Sequence, residues 1–134
     1  MISVLELKES LLQELITYVD QHAPLEACGL LAGKEARAEK MIGVSNQAQS
    51  PVRFVMDPYE QLRAFEWIES RDLDLVAIFH SHPSGPETAS ATDILEAVYE
   101  VVHIILSWND TRWLARGFWM ENGIAREVPL QISG

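Results

Sequence analysis

Apolar and polar positions follow three different rhythms along this chain. Between Lys8 and Gln21, Leu11, Leu12, Leu15, Ile16 and Val19 recur at helical spacing, which predicts an amphipathic helix closed by Pro24. Ile2–Leu5 reads as a short strand before it. Ala27–Gly33 is a short apolar strand stopped by glycine, Ala36–Ser45 is its expected antiparallel partner, and residues 46–53 form a loop. Asp57-Pro58-Tyr59-Glu60 reads as a helix start: aspartate as N-cap, proline at the first helical position, and Glu60 placed to complete a capping box. Leu62, Phe65 and Ile68 give that helix an apolar face up to about Arg71. Leu75-Val76-Ala77-Ile78-Phe79 is a continuous apolar run, the pattern of a strand buried on both faces, and it delivers His80 at its C-terminal end. Two prolines and a glycine make residues 82–89 a loop. A third helix is expected over Ser90–Tyr99 and a second buried strand over Val101–Trp108. Asn109-Asp110 and Asn122-Gly123 then turn the chain through strands at Arg112–Met120 and Ala125–Leu130. The result is an α/β chain with a mixed sheet and about three helices.

At 134 residues this reads as one domain, 1–134, large enough to bury a core without disulfides. Cys28 is the one cysteine, so no intrachain disulfide can form, which fits a reducing compartment. No apolar run reaches the roughly 18 residues of a membrane span. The first residues lack the basic flank and apolar stretch of a signal peptide. A cytoplasmic protein without membrane contact is expected. Ten basic residues against twenty acidic ones leave a net charge of −10. Nucleic-acid binding draws on lysine and arginine against phosphates, so a nucleic-acid partner is not expected.

The chemistry concentrates in His80-Ser81-His82-Pro83, followed by Ser90 and Asp93. Two imidazoles and one carboxylate, with a fourth position open, describe a catalytic zinc site rather than a structural one. Convergence of the two histidines is expected to need the strand to end or bend between them, as Pro83-Ser84-Gly85-Pro86 would allow. Taken alone, a His-x-His pair is more often two unrelated polar residues at a strand end. Ser90-x-x-Asp93 has an equally plain reading as an N-cap serine with an acid in the first turn, worth about 1 kcal/mol. The two readings are compatible, because a helix start aimed at the histidines would also hold Asp93. Glu26, at the mouth of an apolar strand, reads by itself as an exposed loop acid. Its functional reading is a carboxylate that acts as general base without binding the metal. His22 reads as a helix-end or surface residue, His103 as a core histidine, Cys28 as a small buried thiol, and the four tryptophans as packing residues.

Together, Glu26, His80-Ser81-His82-Pro83, the seven residues from Pro83 to Ala89, and Ser90-Ala91-Thr92-Asp93 resemble the JAMM motif of MPN-domain metalloproteases. Glu26-Ala27-Cys28-Gly29-Leu30-Leu31 is similar to that family's glutamate strand, and Phe54-Val55-Met56-Asp57-Pro58 to its run into the second helix. The resemblance covers nearly the whole chain. It implies a cytidine-deaminase-like α/β fold and one zinc held by His80, His82 and Asp93. It also implies Glu26 as general acid/base and Ser90 as the group stabilising the tetrahedral intermediate. Only nine residues separate Asp93 from His103, which leaves little room for the inserted segments of eukaryotic members. The chain looks like the small prokaryotic branch. That branch implies a metallopeptidase or isopeptidase cutting after the C-terminal Gly-Gly of a ubiquitin-like or sulfur-carrier protein.

Three other readings use parts of the same pattern. A silent MPN scaffold should have lost ligands, and here the set is intact. A RadC-like, DNA-repair-associated protein shares a similar His-x-His-Pro-Ser-Gly segment, but the acidic charge and the Glu26–Leu31 strand weigh against it. A nucleoside deaminase wants His-x-Glu and Pro-Cys-x-x-Cys, which a chain with one cysteine cannot supply.

Overall fold

The computed structural model describes residues 2–134 as one mixed eight-stranded sheet with three helices. In chain order the elements are β1 (Leu5–Lys8), α1 (Glu9–His22), β2 (Cys28–Lys34), β3 (Arg37–Val44), α2 (Pro58–Ser70), β4 (Asp74–His82), α3 (Ala91–Glu96), β5 (Val102–Trp108), β6 (Trp113–Glu121), β7 (Ile124–Val128) and β8 (Leu130–Ser133). The strand order is β7-β6-β5-β4-β2-β3-β1-β8. The α/β expectation with a mixed sheet and three helices holds.

Four expectations change in detail. The first strand lies at Leu5–Lys8 rather than Ile2–Leu5, because Leu5 and Leu7 alternate into the core and pair with β8. The expected final strand is two strands. Pro129 lacks an N–H for a ladder, and it separates β7 from β8 at opposite ends of the strand order. The two outer strands are therefore joined by one residue, so the sheet curls until its edges meet there. Third, α3 ends at Glu96 instead of Tyr99. The backbone leaves helical geometry at Ala97, and Tyr99 turns its hydroxyl to Gln61 of α2 and its ring to Phe65. Fourth, β4 runs on through His82 rather than ending at His80 with a loop from residue 82, because β5 pairs with it in parallel as far as His82 opposite Ser107.

Alternation sorts the core. Ala77 and Phe79 of β4 join Leu31, Ile104, Leu106 and Val128 around Leu11, Leu15 and Val19 of α1. Ile78 points the other way, into a cluster with Leu30, Ala32, Val44 and the α2 residues Ala64 and Ile68. On that second face, farther along the sheet, Ile105, Phe118 and Met120 receive Ile94 and Ala97 from the α3 segment. The tryptophans pack as expected: Trp113 and Trp119 against the α1 cluster, Trp67 in the α2 cluster, and Trp108 beside Trp113. At Asn122-Gly123 both residues have positive φ, 55° and 75°, the geometry of a tight hairpin turn between β6 and β7.

The start of α2 follows the expected chemistry with one change. Asp57 accepts from the N–H groups of Tyr59 and Glu60, both at 3.0 Å, and Pro58 takes the first helical position. Glu60 does not complete a capping box. Its carboxylate accepts from Ser45 N–H at 3.0 Å, and Asp57 N–H donates to Ser45 O, so the helix start is tied to the end of β3.

Candidate active site

His80 and His82 lie on the same face of β4 as Ile78, because side chains two apart on a strand point the same way. No bend between them is needed, contrary to the expectation from sequence. Their Nε2 atoms are 3.0 Å apart. Ser81, between them, points to the opposite face and is fully buried.

Asp93 arrives from the first turn of α3. Its Oδ1 is 3.2 Å from His80 Nε2 and its Oδ2 is 3.0 Å from His82 Nε2. A reciprocal capping box holds it there. Ser90 Oγ accepts from Asp93 N–H at 3.0 Å, and Ser90 N–H donates to Asp93 Oδ2 at 2.9 Å. The plain reading of Ser90 as an N-cap is thus correct, and the cap is also what aims Asp93 at the histidines. The Ser90 hydroxyl accepts in the box, which leaves its own proton to donate elsewhere.

Glu26 is buried beside this cluster, not exposed as its position alone suggested. Glu26, His80 and His82 present ligand-type atoms within 4.8 Å of one another. Glu26 Oε1 and His80 Nδ1 are buried without a hydrogen-bond partner. Such orphaned polar atoms are costly. Glu26 Oε1 lies beside facing imidazole nitrogens and carboxylate oxygens, a cluster that a cation would stabilise, whereas His80 Nδ1 lies across its ring from the Nε2 that faces the cluster. The donor set fits zinc, which accepts nitrogen and oxygen ligands. His82 Nδ1 donates to Pro86 O at 2.8 Å, so the neutral ring would present its Nε2 lone pair to a cation; burial lowers the ring's proton affinity, but hydrogen bonds to Asp93 and Pro86 raise it above the ordinary value. The Phe54 ring stacks on His80 at 4.5 Å between centroids.

Burial sets the proton affinities. It pushes the Glu26 carboxyl up to about 7, with His82 opposing and Asp93 assisting. Burial also raises Asp93, but hydrogen bonds from His80 and His82 outweigh it and hold that carboxyl far below the usual range. His80 is pushed toward the neutral form by burial.

Three residues that support the site received no role of their own from the sequence. Ser81 Oγ accepts from Ala27 N–H at 2.8 Å, while Ser81 N–H donates to Ala27 O at 3.0 Å. Asn46 Nδ2 donates to Glu26 O at 3.0 Å, and its Oδ1 accepts from Ala48 and Val55. Phe54 covers one histidine. Asn46 is an ordinary loop residue and Ser81 looks like a spacer in His-x-His. Pairing of β2 with β4 brings Ser81 to Ala27, and pairing of β2 with β3 brings Asn46 to Glu26. His22 ends α1, exposed, with Nδ1 2.7 Å from Tyr18 O. His103 is buried on the site's face of β5, 3.5 Å from Tyr99 O. Cys28 is a buried thiol that burial raises to about 12 and that donates to Val44 O.

The chain was compared with known proteins. The family described as prokaryotic homologs of the JAB domain matches residues 8–120. A probable TtuB-protein conjugate cleaving protease from Thermus thermophilus is 36% identical over 110 residues, which span 81% of this chain and 74% of that protein. A CysO-cysteine peptidase from Mycobacterium tuberculosis is 32% identical over 133 residues, spanning 96% and 91% of the two chains. A solution structure of a Desulfitobacterium hafniense protein superposes with a TM-score of 0.87 at 28% identity, covering 97% of this chain and 92% of that one.

Proposed function

This chain belongs to the family of prokaryotic homologs of the JAB domain, and from that premise we propose that it is a zinc peptidase cutting after the C-terminal Gly-Gly of a ubiquitin-like or sulfur-carrier protein. The relatives are named for cleaving TtuB conjugates and for acting on CysO-cysteine, which supports such carriers as the partner class. The observation that carries the reading is the buried convergence of His80, His82, Asp93 and Glu26 at one strand end. We read residues 1–134 as one domain. No helix among the described residues is long and apolar enough to cross a membrane, and a cytoplasmic location is part of the proposal.

In this reading His80, His82 and Asp93 hold the metal, and Glu26 stays free of it. The Asp93 oxygens already lie 3.2 and 3.0 Å from the two histidine nitrogens, and Glu26, whose carboxylate lies within 4.8 Å of both, is left to act on the attacking water. When bound, zinc supplies Lewis-acid polarisation and makes water acidic enough to lose a proton near neutral pH. Glu26 then takes the proton of the attacking water and passes it to the leaving amine. A carboxyl whose burial raises its proton affinity is suited to both halves of that transfer. A cation beside it would lower that affinity again, toward the ionised base. Ser90 donates its free hydroxyl proton to the oxyanion that develops on the scissile carbonyl. Asn46 and Ser81 hold the Glu26–Ala27 peptide, one at its carbonyl and the other at its N–H. Pro86 O fixes the His82 tautomer.

The experiment is incubation of the zinc-loaded protein with carriers extended beyond Gly-Gly, read by intact mass. Loss of the extension, absent with Glu26→Gln, is the expected result. Intact carriers throughout would overturn the reading.

A further inference from the structure

A cavity of about 230 Å³ opens beside the cluster, between residues 52–56, the α3 segment and β5, and two site residues, His80 and Asp93, form part of its wall. The rest of the wall is mainly apolar: Phe54, Met56, Ile78, Val98 and Met120. Arg53 and Glu96 also line it, paired at 3.6 Å with both side chains about half exposed. The volume is below the roughly 300–1,000 Å³ of pockets for drug-sized ligands. It suits one amino-acid side chain.

We propose that this cavity is the leaving-group subsite: it takes the apolar side chain of a single residue released from behind Gly-Gly, while Arg53 binds that residue's free α-carboxylate. The proposal rests on the peptidase reading above. The two glycines before the cut have no side chain to fill a cavity, so the nearest side chain on the substrate is that of the released residue. An exposed ion pair such as Arg53–Glu96 is worth little. The guanidinium can therefore exchange to a carboxylate presented in its planar, two-pronged geometry. A lysine isopeptide has no carboxylate at that distance from the released amine and would leave Arg53 unused. The step is a plain hydrolysis. The glycine carbon–nitrogen bond breaks, a carbon–oxygen bond to water forms, and the leaving nitrogen gains the proton. The products are the carrier ending in Gly-Gly and a free apolar amino acid.

The test uses one carrier ending in Gly-Gly and extended in four ways: by phenylalanine with a free carboxylate, by phenylalanine amide, by aspartate, and by lysine joined through its ε-amine. Zinc-loaded wild type and Arg53→Gln are compared by intact mass, and free phenylalanine and phenylalaninamide are tried as inhibitors. The free-acid phenylalanine form should be cut fastest, about tenfold or more above its amide, as expected for one charge-assisted pair. In Arg53→Gln that ratio should fall to about twofold or less, through loss on the acid form. Free phenylalanine should compete and its amide should not. Equal rates on acid and amide, or fastest cleavage of the lysine isopeptide, would overturn the subsite while leaving the peptidase standing. So would cleavage of the aspartate form as fast as the phenylalanine free-acid form. Failure to cut any of the four would overturn both.

Discussion

Removing the Ser81 hydroxyl should damage catalysis without touching the metal cluster. Ser81 lies between the two histidines, yet its side chain sits on the other face of β4 and accepts from Ala27 N–H at 2.8 Å. Ala27 follows Glu26 directly, so this bond and the Asn46 bond to Glu26 O fix the peptide beside the proposed general base. Ser81→Ala leaves the Ala27 N–H buried without an acceptor. A buried donor stranded this way costs about 1–3 kcal/mol. For a domain of this size that lowers the melting temperature by roughly 4–12 °C. It is also a sizeable part of a total stability of about 5–15 kcal/mol. The Glu26 carboxyl then loses one of its fixed anchors, and a displacement of about 1 Å can cost roughly 10² in rate. We expect kcat to fall about tenfold to a hundredfold with little change in KM. Zinc content should stay at the wild-type value. Ser81→Cys, which keeps a weak acceptor, should fall between the two. The measurements are thermal melts, metal analysis and turnover on one Gly-Gly-extended carrier. A Ser81→Ala protein that melts and turns over like wild type would show that Glu26 is held by other means. One that loses zinc would place Ser81 in the support of the histidines instead.

Other substitutions separate the remaining roles. His82→Ala and Asp93→Ala should each abolish stoichiometric zinc, read by metal analysis, and equal zinc in all three proteins would sink the ligand assignment. Glu26→Gln should keep zinc and fold and lose about 10²–10⁴ in rate. Ser90→Ala should lose about 10²–10³ in rate, plus about 1 kcal/mol of stability from the broken cap. The chelated protein should also report Glu26 through pH. Its folded proton affinity, near 7, lies above its ordinary value of 4.5. Its stabilising contribution is therefore complete below pH 4.5 and is lost as pH rises through 7. Unfolding free energies of the chelated wild type, from denaturant curves, should fall over that window by up to about 3 kcal/mol. Chelated Glu26→Gln should lack this component, and parallel curves would refute it.

What the sequence discloses depends on whether a signal is local. The amphipathic spacing of α1, the Asp57-Pro58 start of α2 and the apolar run of β4 are local, and they were legible. So was Ser90-x-x-Asp93, since a capping box lies within one turn. Readings failed where the deciding partner is far along the chain. Nothing near Leu5 says that β8 will pair with it 125 residues later. Glu60 satisfies a capping-box pattern, yet Ser45 N–H offers its carboxylate a different bond. Tyr99 sits in a helical pattern, but its hydroxyl is claimed by Gln61.

The candidate site shows the same division at closer range. Its polar residues were readable only together, because each has a plainer reading alone and the resemblance lies in their combined spacing. Their support was not. Ser81 acquires its role from the pairing of Cys28 with His80, which brings Ala27 opposite it. Phe54 acquires its role from the return of the 46–56 loop over β4. The sheet therefore contributes more than a platform. By pairing β2 against β4 it fixes the base relative to the histidines, and by ending β4 beside α3 it sets Asp93 against both. A change that loosened the β2–β4 ladder without touching a polar site residue should therefore lower turnover before it lowers zinc content. In this fold Glu26 is held by its link into β2, the two histidines by β4 and Asp93 by α3.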